Sequence, residues 1–190
     1  MMTRLRYLCL AAALCFSLLA ATAGPRGLPA QDGILNFGKV SETLYRGAQP
    51  DTNGVVSLKR LGIKSIISLR QPGSTGKAEA LAAKTVGLVY TNFPLSGLGR
   101  PTTGQVRQVL AAIETLPGPV FIHCAHGCDR TGTIVACYRI GHDKWSVEDA
   151  LAEADRYGMS RLERSMRLYV TDYGKTAAGQ KIEKIADAKQ

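Results

Sequence analysis

Short apolar runs alternate along this chain with longer stretches in which apolar residues return every three or four positions. The runs are Leu44-Tyr45-Arg46, Ser65 to Leu69, Leu88 to Phe93 and Val120 to His123. The middle ones are continuous and rich in β-branched residues, the pattern of strands covered on both faces. Between the runs, Val55 to Leu61, Lys77 to Val86 and Thr103 to Leu116 have helical spacing. Such alternation predicts an α/β domain with a central, mainly parallel sheet flanked by helices. The last third carries helices alone. Thr131 to Gly141 reads as an apolar helix that packs under the sheet, and Ser146-Val147-Glu148-Asp149 as a capping box opening a helix that stops at Gly158. Arg161 to Tyr173 places Leu162, Met166, Tyr169 and Val170 at helical spacing, and Lys175 to Gln190 is an alanine- and lysine-rich tail, a solvated or frayed helix.

Composition fits one such domain and little more: 190 residues, 45% hydrophobic and 21% charged. Part of the length reads as a leader. Arg4 and Arg6 precede an uncharged apolar run, Leu8 to Ala21, that ends at Ala21-Thr22-Ala23, the layout of a secretory signal peptide. The run is shorter than the roughly 20 residues a membrane span needs, so cleavage after Ala23 is expected ahead of an uncleaved anchor. The expected organisation is a signal peptide at 1–23, a Gly/Pro-rich lead-in at 24–42, the catalytic-type domain at 43–174 and the tail at 175–190. The mature protein would be periplasmic or secreted, with no stable membrane insertion. Cleavage removes Cys9 and Cys15 and leaves Cys124, Cys128 and Cys137, an odd number that implies at least one thiol outside any disulfide and no disulfide scaffold. The formal charge of +9 stays positive without Arg4 and Arg6 and points to an anionic partner. Nucleic acid is not expected, because no motif or cluster of aromatics accompanies the charge.

One segment carries chemistry, Pro119-Val120-Phe121-Ile122-His123-Cys124-Ala125-His126-Gly127-Cys128-Asp129-Arg130-Thr131-Gly132. A strand ending at His123 and a helix starting near Thr131 are joined by a compact loop. That turn gathers backbone N–H groups and a helix N-terminus around one point, a cradle for an anion such as phosphate. Beside a helix N-terminus and an arginine, a cysteine pKa falls from about 8.5 to roughly 3.5–7.5. Cys124 is then a nucleophile aimed at phosphorus, with Ala125, His126, Gly127, Cys128, Asp129 and Arg130 surrounding the phosphoryl oxygens. Arg130 can fork two N–H groups onto those oxygens. Gly127 lets the backbone turn inward without a Cβ, and Thr131 can hydrogen-bond the sulfur as it leaves.

The sequence HCAHGCDRTG fits H-C-x5-R-[ST] and so resembles the cysteine-dependent protein tyrosine and dual-specificity phosphatases. Leu44-Tyr45-Arg46-Gly47-Ala48-Gln49-Pro50, Leu61 to Arg70, Tyr138-Arg139 and Trp145-Ser146 extend the resemblance to the exported bacterial dual-specificity-like group, over roughly Thr43 to Gly158. The resemblance implies a phosphocysteine intermediate hydrolysed by water, with no metal and no cofactor. It implies phosphotyrosine proteins as substrates; phosphoinositides or soluble inositol phosphates are the alternative that the Asp-Arg-Thr loop and the basic charge fit.

The family's general acid is an aspartate on a loop well before the nucleophile, and here this sequence departs from it. Phe93 to Pro101 holds no carboxylate, and between Lys77 and Cys124 the only acids are Glu79 and Glu114, both on expected helices. Asp129 is the expected substitute, by likeness to the C-x4-D-R-T loop of myotubularin-type lipid phosphatases; otherwise it holds the loop or a neighbouring arginine. His123 is expected to shape the loop, and His126 to face substrate or solvent. Cys128 either forms a reversible disulfide with Cys124 or is a small loop residue, and Cys137 is a core residue. Arg46 and Arg70 either reach a phosphate-bearing substrate or make structural salt bridges; Arg100 contacts substrate or is solvated. The missing acid keeps open a phosphate-binding module without turnover. Sulfur transfer is a weaker option, since rhodanese loops are shorter.

Overall fold

The computed structural model describes residues 27–187, with side chains up to residue 176; the expected signal peptide lies outside the described residues. Five strands are present among them: Gly38–Lys39 (β1), Leu44–Ala48 (β2), Ser65–Ser68 (β3), Val89–Asn92 (β4) and Val120–Cys124 (β5). Six helices follow in chain order: Thr52–Arg60 (α1), Ser74–Thr85 (α2), Thr103–Thr115 (α3), Asp129–Gly141 (α4), Val147–Arg156 (α5) and Arg164–Asp187 (α6). The strands form one sheet in the order β1-β2-β5-β3-β4. All pairings are parallel except that of β1 with β2. The fold is therefore the expected helix-flanked α/β sheet, with one short antiparallel edge. That edge, two residues of glycine and lysine, carries no apolar run by which to read it.

Both faces of the sheet are covered, which is why its central strands read as unbroken apolar runs. On β3, Ile66 packs with Val55, Leu58, Ala83 and Phe121 on the side of α1 and α2, whereas Ile67 packs with Ile122, Val109, Ile134 and Val170 on the side of α3, α4 and α6. The lead-in joins the first of these clusters through Ile34 and Phe37. Helix α4 is buried along almost its whole length, Thr131 to Tyr138, between the sheet and the terminal helices. An element apolar on all sides has no solvent face to offer.

Local chemistry sets the helix starts. Asp51, Thr102 and Ser146 cap α1, α3 and α5, each accepting a bond from a backbone N–H in the first turn. Such caps contribute about 1 kcal/mol each. Helices α1 and α2 each start three residues before the sequence pattern, at Thr52 and Ser74, and two further boundaries differ near the Cys124 loop. Helix α4 begins at Asp129, two residues before Thr131, so Asp129 and Arg130 lie in its first turn. Helix α6 begins at Arg164 rather than Arg161, leaving Leu162 87% exposed in a turn. The cause is local: the Ser160 N–H donates to Asp129 Oδ1 at 2.7 Å, holding this connection as a loop against α4.

Candidate active site

Strand β5 is the centre of the sheet, wholly buried between β2 and β3, and it delivers Cys124 to the carboxyl edge. The chain then turns through Ala125–Cys128 into α4. Gly127 has φ of +71° and packs directly on β2, where a Cβ would lie 2.4 Å from the carbonyl carbon of Gly47. Only glycine fits this combination of left-handed backbone and close approach. Cys128 occupies the N-cap of α4 but makes no side-chain cap bond. The first-turn N–H groups of this helix, unlike those of α1, α3 and α5, thus meet no capping side chain, and that of Thr131 acts on the Cys124 sulfur.

Cys124 is 3% exposed. Burial alone would push its thiol pKa up, but the Thr131 hydroxyl and N–H, the Arg130 guanidinium and the His126 N–H outweigh it, and the pKa is lowered. The Thr131 hydroxyl has no oxygen or nitrogen partner among the described residues and acts on this sulfur. Cys137, eight residues into α4, shows the contrast: burial with no such partners pushes its thiol well up. No disulfide joins Cys124, Cys128 and Cys137. The Cys128 thiol donates to the His126 carbonyl at 3.3 Å and receives the Asn36 amide at 3.6 Å. The sequence-predicted residues are therefore gathered in one place. Ala125, Gly127 and Cys128 form the turn, and His126 is exposed on it.

Arg130 is half-buried, its Nη1 donating to the Leu69 carbonyl at 3.4 Å. With Thr133 and Met166 it borders a cavity of about 40 Å³ against the Leu95–Pro101 loop, the segment that lacks a carboxylate. Arg100 on that loop also borders the cavity, while pairing with Asp172 at 2.9 Å and lying over the Tyr169 ring. A larger cavity, about 620 Å³, lies between α3, α4 and α6, lined by Val106, Tyr138 and Tyr169 among others. It contains none of the residues gathered around Cys124, whereas the smaller cavity borders that group through Arg130. Among the described residues no group of three or more His, Cys, Asp and Glu side chains is placed to hold a metal ion.

Three residues that sequence reasoning passed over support the loop from behind. Asn36, buried at φ +55°, donates to the carbonyls of His126 (3.1 Å) and Tyr157 (2.9 Å), while its own oxygen takes the Leu28 N–H. Glu79 is buried on the inner face of α2. Its Oε1 is 2.7 Å from His123 Nε2, close enough for an ion pair although not aligned as a hydrogen bond. Its Oε2 accepts from Gln49 at 2.7 Å, and Gln49 in turn accepts from Arg70. His123 Nδ1 meets the Cys124 carbonyl at 3.0 Å, so a polar chain runs from Arg70 to the backbone of Cys124. Arg70 is thus held by an amide rather than a salt bridge. Arg46 fits neither of its sequence readings: it is fully buried and paired directly with no carboxylate among the described residues.

Residues 30–172 match the family model PTP-NADK, described as DSP-PTPase phosphatase fused to NAD+ kinase. The dual specificity protein phosphatase TpbA of Pseudomonas aeruginosa is 33% identical over 144 residues, 73% of this chain and 63% of its own length. The match therefore spans less than two thirds of that relative. The inositol diphosphatase DSP5 of Arabidopsis thaliana is 29% identical over 145 residues, covering 73% of this chain and 69% of that protein. A crystal structure of a cysteine-to-serine form of P. aeruginosa TpbA in complex with pTyr superimposes with a TM-score of 0.65 at 25% identity, over 82% of this chain and 98% of that one.

Proposed function

The chain belongs to the PTP-NADK family of DSP-PTPase phosphatases, and from that premise we propose that it hydrolyses phosphate monoesters through a phosphocysteine at Cys124, protein phosphotyrosine being the first substrate class. The observation that carries this reading is the lowered pKa of Cys124 at an uncapped helix N-terminus beside Arg130. The thiolate attacks phosphorus: a P–S bond forms, the ester P–O bond breaks, and the leaving oxygen takes a proton. Arg130 and the loop amides hold the equatorial oxygens. Water then attacks the phosphocysteine, inorganic phosphate leaves, and the Thr131 hydroxyl hydrogen-bonds the departing sulfur.

Asp129 is assigned the proton, as the carboxylate within the loop itself. Its Oδ1 also anchors Ser160, so holding and protonation are separable by substrate. Asp129→Asn should lose about 10²-fold in turnover of phosphotyrosine and far less with a para-nitrophenyl leaving group that needs no proton. Equal losses on both would leave Asp129 as an anchor only. The central test is a panel of phosphotyrosine, phosphothreonine and inositol phosphates under reducing conditions. Wild type should release phosphate and Cys124→Ser should not; equal release would remove the proposal, and binding without release would make this a phosphate-binding module.

A second reading, inositol phosphates or phosphoinositides, is favoured by relatives named inositol diphosphatases and by the basic charge of the chain. A higher kcat/KM on that arm of the panel would select it. Export to the periplasm or beyond rests on the leader-like residues 1–23 alone. Cell fractionation with N-terminal sequencing tests it; a cytoplasmic chain still beginning at Met1 would refute it.

A further inference from the structure

Arg46 lies within β2 with its side chain wholly buried. Taking a guanidinium out of water is costly unless it is paired. The acid whose charge acts on it most, Glu153, is already held by Arg139 at 2.7 and 3.1 Å. Arg46 instead donates through Nη2 to the carbonyl of Gly127 at 3.0 Å and lies 3.8 Å from the centre of the Tyr157 ring. Its Nε and Nη1 have no protein partner among the described residues. Loss of hydration lowers its pKa to about 10, which leaves it a cation at neutral pH.

A loop that points its N–H groups at an anion must point its carbonyls the other way, and on the underside of this loop a buried carbonyl needs a donor. Two side chains provide one. Asn36 serves the carbonyl of His126 and Arg46 that of Gly127, the next residue. Asn36 is neutral, whereas Arg46 carries a charge that reaches Cys124 and Cys128. Resting on the phosphatase reading above, we infer that Arg46 is a positioning residue of this site, which holds the Gly127 carbonyl turned out of the cradle and, as a buried cation beneath it, favours an oxyanion above. It touches no substrate.

The inference has a charge component, so the groups facing Cys124 are the comparison set. Arg130 and Thr131 act on it from α4, His126 from the loop and Arg46 from β2. Behind β5 stands His123 with Glu79 of α2.

The test uses the full chain and two measurements that need no turnover: tungstate affinity by calorimetry, and the pH dependence of Cys124 alkylation by iodoacetate, located by peptide mass spectrometry. Arg46→Gln should bind tungstate about tenfold more weakly, the size of one lost hydrogen bond from a charged donor. Its Cys124 should also alkylate with a midpoint at higher pH, because the displaced loop amides no longer favour the thiolate. Arg46→Lys, which keeps the charge but not the fork, should fall between the two in both measurements. A folded Arg46→Gln protein with wild-type tungstate affinity and alkylation midpoint would overturn the inference. If that variant does not fold, Arg46→Lys decides alone: weaker tungstate binding supports it and wild-type binding overturns it. Failure of the phosphatase reading would look different, as a wild-type protein that binds tungstate but releases no phosphate.

Discussion

At the scale of single residues, the two glycines of the Pro119–Gly132 segment have opposite meanings. A Cβ on Gly127 would sit 2.4 and 2.5 Å from the carbonyl carbon and oxygen of Gly47, backbone that cannot step aside. On Gly132 its nearest neighbours would be Ala154 Cβ at 3.5 Å, Met159 Sδ at 3.7 Å and Arg46 Nη2 at 3.8 Å, ordinary van der Waals contacts. Gly127→Ala should therefore displace the loop and reduce kcat/KM on para-nitrophenyl phosphate by about 10²-fold, as misplacement near 1 Å does elsewhere. Gly132→Ala should keep that rate and gain up to about 1 kcal/mol from helix propensity, read as a higher Tm. Similar losses in both variants would contradict the packing described. The sequence already marks both glycines and the Cys124–Arg130 spacing. What it does not mark is which glycine touches backbone, because Gly47 is 80 positions away along the chain.

At the scale of elements, legibility follows how strongly each one is patterned. The buried strands β3 and β5 stand out as apolar runs, and the capped helices α3 and α5 start at their caps. Helix α2 is different: its buried residues are Glu79 and Ala83, so its inner face looks no more apolar than its outer one. A carboxylate on an Ala/Lys helix reads as solvated, and only the folded sheet brings it to His123 and Gln49. Its removal has a definite expected consequence. Glu79→Ala leaves the buried His123 without its ion-pair partner and the half-buried Gln49 without its acceptor, and should cost about 3 kcal/mol in urea unfolding. Glu79→Gln, of the same shape and still able to accept from Gln49, should cost less. If Glu79→Ala unfolded at the wild-type urea midpoint, the Arg70–Gln49–Glu79–His123 chain would carry no net stability.

At the scale of the whole molecule, the segment before β2 belongs to the core and to the site at once. Ile34 and Phe37 are buried in the cluster with Val55, Leu58 and Phe121, which at roughly 2 kcal/mol per side chain is about 4 kcal/mol of burial. Between them, Asn36 reaches across 90 residues to the loop after Cys124 and across 121 to Tyr157, the residue whose ring covers Arg46. Contacts of that range leave no trace in local periodicity, which is why the lead-in reads from sequence as a connector. A single domain is stable by only about 5–15 kcal/mol, so this segment supplies a sizeable share of the total. A chain begun at Thr43 should consequently be unfolded or molten at 37 °C, seen as loss of near-ultraviolet dichroism, while one begun at Gly27 keeps its fold. Asn36→Ala separates the two roles of the segment. It leaves the apolar burial intact, so the protein should stay folded while tungstate binds more weakly, because the carbonyl of His126 has lost its donor. A Thr43 start with native dichroism and an undiminished unfolding midpoint would show that the sheet and its helices close without this segment.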